Sequence, residues 1–124
     1  MSTKPRIVVP GVFYLVSSKG VQNLDMFQNP ELKAFFLAQL SKTLKKYCFT
    51  CYAFSITKNQ YQMVLQSNQQ SISDAMQQFN SIIARQVNKV LQRDGTVFAT
   101  RFKSLIVESD QVKYLMPVIT QNDR

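Results

Sequence analysis

In "TKNQYQMVLQ", residues 57–66, Gln60 and Gln62 flank Tyr61 in a run rich in β-forming residues. Side chains at i and i+2 of a strand leave the same face, roughly 6.6 Å apart along the backbone. Two groups so placed can close on one small target. Two neutral carboxamides without a carboxylate hold Mg²⁺ only weakly. What they do well is hydrogen-bond, and a carboxamide matches the N6 and N7 edge of adenine. The plainer expectation is that they pair internally, as buried amides usually do.

The rest of the chemical inventory is thin. The chain has no His, which removes the usual general base at neutral pH, the Ser-His and Cys-His nucleophile systems and most transition-metal sites. Catalysis would have to run on seven carboxylates, five Tyr and the Lys residues. Cys48 and Cys51 form a lone C-x-x-C in "YCFTCYAF". Read as a strand, that segment sends residues three apart to opposite faces. The pair is therefore expected to be small buried thiols, and neither a metal nor a cofactor is expected.

Stepping from these groups to their support, 124 residues make one domain spanning 1–124, with nine Phe and five Tyr to build its core. Fifteen cationic against seven acidic side chains give a net charge of +8 and a pI near 9.7. That excess favours an anionic partner, and nucleic acid is the commonest. No apolar run approaches the roughly 18 residues of a membrane span. The opening "MSTKPRIVVPG" lacks the apolar core of a signal peptide, so a cytoplasmic location is expected.

The element signals come in a definite order. "GVFYLVSS" (11–18) reads as a strand. "NPELKAFFLAQLSKTLKKY" reads as a helix with Asn29 as N-cap and Pro30 in its first turn. Its apolar stripe is Leu32, Phe36 and Leu40, widened by Phe35, Leu37 and Leu44. "CFTCYAFSIT" and "QYQMVLQS" follow as a hairpin turning at Lys58-Asn59. "SISDAMQQFNSIIARQVNKVLQR" is a second helix, with Ser71 and Asp74 resembling a capping box and Asp94-Gly95 ending it. Ile72, Met76, Phe79, Ile83, Val87 and Val90 form its apolar side. "RFKSLIVES" is a last strand, and "DQVKYLMPVITQNDR" begins a final helix that Pro117 interrupts. Two helices crossing an antiparallel sheet with a central hairpin give an α+β, ferredoxin-like split βαβ fold.

Three stretches carry a resemblance: "KPRIVVPGVFYLVSSKG", "MQQFNSIIARQVNK" and "DGTVFATRFKSLIVESD". Together, in register from about Lys4 to the last residue, they resemble the REP-associated tyrosine transposases, single-tyrosine members of the HUH group. The resemblance implies an HUH-transposase-like fold and action on single-stranded DNA beside a hairpin. In that group a His-hydrophobic-His pair on a strand holds a divalent metal, and a Tyr on the last helix attacks the phosphate. Here the pair falls on Gln60 and Gln62, and the tyrosine position falls on Gln121. Tyr114 precedes Gln121 by seven residues, on the right helical face but roughly 10 Å too far along the axis. The expectation is a transposase-like domain without catalytic residues or metal.

By the same match, the phosphate contacts are expected to be Arg6, Lys19, Arg85, Lys89, Arg101 and Lys103. Asn80 and Asn88 are expected at sugar or base edges. Arg101, between Phe98 and Phe102, is the strongest of these. The function so implied is a catalytically inactive, regulatory DNA-binding protein of hairpin or single-stranded DNA rather than duplex. The alternatives are a residual transposase or nuclease with unorthodox metal ligands, and a protein-interaction module forming a homodimer.

Overall fold

A computed structural model of the chain describes residues 12–67 and 72–108. Its elements are β1 (Phe13–Lys19), a 3-10 turn (Met26–Gln28), α1 (Pro30–Tyr47), β2 (Thr50–Ile56), β3 (Gln60–Gln66), α2 (Ile72–Val90) and β4 (Lys103–Val107). The strands form one antiparallel sheet in the order β2-β3-β1-β4. This is the expected ferredoxin-like arrangement, in which β3 splits the β1-α1-β2 unit.

Local chemistry explains the element ends. The Asn29 side chain accepts hydrogen bonds from the Glu31 and Leu32 amides at 2.8 and 3.1 Å, and Pro30 opens α1. Cys48 closes the helix in the left-handed conformation, φ 58°, its amide bonded to the Leu44 carbonyl. This corrects the reading of Cys48 as a strand residue: it caps α1, while Cys51 lies on β2. Both thiols are free, and Cys48 is exposed rather than buried. Burial pushes the Cys51 thiol up to about 11, against a small lowering by its hydrogen bond to the Ala53 carbonyl. It is an unreactive thiol at neutral pH.

Other boundaries differ modestly from the sequence reading. Helix α2 ends at Val90, short of Asp94-Gly95. Gln92 takes the left-handed conformation, φ 54°, and the Arg93 amide bonds the Asn88 carbonyl. The Asn88 side chain accepts from the Arg93 guanidinium and donates to the Gly95 carbonyl, holding the turn that follows. Leu37 remains 39 % exposed, and Thr43 takes a buried place on α1 instead. Ser71 and the expected final helix lie outside the described residues.

Alternation in the strands separates two faces. Tyr14, Val16, Tyr61, Met63 and Leu65 join Leu32, Phe36, Leu40, Met76, Phe79 and Ile83 of the helices in the main core. The opposite face holds a much smaller apolar cluster, Ala53 and Val64 with Phe13, Leu15 and Val107 at its margin. No described helix packs there. Among the described residues no helix is long and apolar enough to cross a membrane.

Candidate nucleic-acid interface

The face of the sheet opposite the described helices is divided along its strands. Strand register sets Lys103, Ser17, Gln62 and Ser55 in one row across β4, β1, β3 and β2. One step along, Lys19 lies opposite Gln60. The next row the other way is Leu105, Leu15, Val64 and Ala53. One end of the face is thus polar and cationic, and the other apolar.

The segment after α2 completes the polar end. Val21 donates to the Val97 carbonyl at 2.8 Å, Ala99 donates to the Lys19 carbonyl at 2.8 Å, and Gly20 bridges to Phe98. Gly20 permits this meeting of chains. A Cβ there would lie 3.2 Å from the Asn59 carbonyl oxygen and 3.0 Å from the Met26 terminal carbon. Pinned in this way, residues 99–101 wall a cleft of about 350 Å³ with Lys19, Gln60, Gln62 and Lys103.

The electrostatics of this cleft are one-sided. Among the described residues, the side chains of Lys19, Arg101 and Lys103 make no ion pair or hydrogen bond. Gln60 and Gln62 are half-buried, and their carboxamides have no partner among the described residues either. The plainer expectation, internal pairing, is not what the structure shows. Half-exposed carboxamides without protein partners keep their donors and acceptors available to water or to a ligand. No group of three or more His, Cys, Asp or Glu able to hold a metal occurs among the described residues.

Between those two carboxamides, Tyr61 turns to the opposite side. It is 1 % exposed, with rings of Phe36, Phe79 and Phe98 at 5.1, 5.8 and 6.2 Å. Its hydroxyl donates to Asn80 Oδ1, and Asn80 Nδ2 donates to Ser18 Oγ at 3.0 Å. Burial pushes the phenol well above its usual range, offset only partly by these hydrogen bonds. Tyr61 is a locked core residue without access to the cleft.

The expected contact residues therefore fall into groups. Lys19, Arg101 and Lys103 converge on the cleft with Gln60 and Gln62. Asn80 and Asn88 have their carboxamides engaged within the fold. Arg85 lies exposed on α2 beside Gln77, Gln78 and Ser81, away from the cleft, and Lys89 is exposed in the last turn of that helix. Arg6, Tyr114 and Gln121 lie outside the described residues. The sequence reading missed Ser17 and Thr100, which line the cleft. Strand alternation opposite Gln62 could have found the first. The internal role of Asn80 also had a signal, since it stands four residues after Met76, at the margin of the buried stripe.

The sequence matches no protein-family profile and no curated protein. Solved structures do match. A REP-associated tyrosine transposase bound to a REP hairpin superposes with a TM-score of 0.72 at 10% identity, covering 96% of this chain and 70% of that one. A protein of Deinococcus radiodurans R1 designated a transposase gives 0.65 at 13% identity, covering 98% of both chains. This chain has the ferredoxin-like α+β fold that those transposases share.

Proposed function

We propose that this chain binds hairpin or single-stranded DNA without cutting it, in a regulatory role. The observation that carries the reading is the cleft itself: three cations without anionic partners, among the described residues, around two carboxamides without hydrogen bonds there. Lys and Arg so arranged neutralise and position phosphates. Strand cleavage needs a nucleophile and either a base or a metal to activate the phosphate. Among the described residues that line the cleft there is no imidazole, carboxylate or phenol to activate a nucleophile or hold a metal: Gln60 and Gln62 stand where relatives by resemblance place imidazoles, and Tyr61 is sealed in the core. A fold neighbour that holds a hairpin supports the choice of DNA partner.

A binding survey over single-stranded, hairpin and duplex DNA tests the reading. The hairpin and single-stranded forms are expected to bind most tightly, and affinity to fall steeply between about 50 and about 200 mM salt. Affinities that barely change with salt would contradict it. They would favour the protein-interaction reading, which Leu105 and Ile106 support, at 64 % and 71 % exposure on the edge strand β4. That reading expects a mass in solution that rises with concentration as two copies pair.

A further inference from the structure

Thr100 and Arg101 line two clefts, one on each side of the segment that follows Phe98. On one side is the polar cleft over Gln60 and Gln62. On the other, a groove of about 620 Å³ opens between this segment and α2, walled by Phe98, Phe102, Gln77, Asn80 and Ser81. Sites for small ligands run from roughly 300 to 1,000 Å³. The two clefts differ in chemistry. The first is carboxamide, hydroxyl and cation; the second sets two half-buried phenyl rings beside an amide and a hydroxyl of a helix surface.

Rigidity distinguishes this groove from a casual surface dip. Phe98 stands edge-on to Tyr61, with ring centroids 6.2 Å apart and planes at 89°, and it is bridged to Gly20. Phe102 packs on the same core just beyond Arg101. Gln77 and Ser81 are exposed on α2, and their side chains have no hydrogen-bond partner among the described residues. Fixed aromatic rings with nearby donors and acceptors suit a flat, edge-polar ligand. A nucleobase freed from its stack is such a ligand, since every base offers a π-face and a hydrogen-bonding edge. Arg101 between the clefts would meet the phosphate attached to that base.

We propose that the Phe98–Phe102 groove takes one unstacked nucleobase of a bound DNA strand, while the neighbouring phosphates lie in the polar cleft. This inference rests on the DNA binding proposed above. It adds a second, aromatic site on the other side of Arg101, so that the chain recognises a splayed nucleotide and not merely a charged backbone.

The test uses the full chain and a hairpin with single-stranded flanks, into which 2-aminopurine or an abasic site is placed one position at a time. At one position, binding is expected to change the 2-aminopurine fluorescence, and the abasic site to weaken binding about tenfold. Phe102→Leu keeps apolar packing but removes the π-face. It is expected to abolish the difference between intact and abasic DNA and to leave the salt dependence unchanged. Gln77→Ala, at an exposed helix position, is expected to even out the affinities for the four bases there. Wild-type protein that binds DNA but treats intact and abasic strands alike at every position would overturn the nucleobase site alone. A Phe102→Leu or Gln77→Ala protein that discriminates as wild type does would also overturn it. Failure to bind any of these oligonucleotides at low salt would overturn DNA binding and this site together.

Discussion

Strand β3 presents two regions to compare, because Tyr61 and the two glutamines beside it leave opposite sides of the same backbone. On the helix side the polar groups around Tyr61 are paired: the phenol is hydrogen-bonded to Asn80, Asn80 to Ser18, and three aromatic rings pack around Tyr61. On the far side, among the described residues, Gln60 and Gln62 have no partner, and the charged side chains lining their cleft are all positive. The same strand thus meets the requirements of folding on one side and leaves unmet bonding capacity on the other. Stability should depend on the first side and ligand binding on the second. Each substitution below tests that separation.

The largest effect is expected on the helix side. Phe36 is fully buried against the rings of Phe27, Tyr61 and Phe79. Phe36→Ala should lower unfolding free energy by about 3 to 5 kcal/mol, read from denaturant midpoints. Next comes the far side. Replacing Lys19, Arg101 and Lys103 together by Ala should weaken DNA binding and flatten its log–log salt slope by about 2, from three lost single-strand phosphate contacts. The denaturation midpoint should hardly move, and a large fall in stability would merge the two regions and break the comparison. Tyr61→Phe sharpens it, because the phenyl remains while the Asn80 and Ser18 groups lose their hydroxyl partner. A loss of about 1 to 2 kcal/mol is expected, with DNA affinity unchanged. Smallest in stability is Gln60→Ala with Gln62→Ala, expected to stay within about 0.5 kcal/mol of wild type while binding weakens.

Much of the fold was legible because its signals are local. Asn29-Pro30, the Leu32-Phe36-Leu40 stripe, the Lys58-Asn59 turn and the period-two alternation around Tyr61 each specify their element directly. Cys48 was misplaced because a left-handed helix cap in a non-glycine residue leaves little mark in sequence. For the site, Gln60 was legible through strand alternation and the resemblance, and Lys19 through the resemblance alone, since the sequence reading ends the first strand at Ser18. The structure extends β1 to Lys19 and pairs the two in register. Asn80 and Asn88 were not legible. An amide on the polar margin of a helix looks the same whether it faces solvent or bridges inward, and only the third dimension decides. The groove beside Phe98 was hidden for the same reason, since its walls come from α2 and from a segment about 20 residues later.

The central claim is that this scaffold holds DNA without breaking it. Purified protein incubated with end-labelled hairpin DNA and Mg²⁺ or Mn²⁺, then resolved on native and denaturing gels, addresses it directly. The account predicts a shifted complex under native conditions and an intact strand with no attached protein under denaturing ones. A shortened strand, or a protein–DNA adduct that survives denaturation, would contradict it.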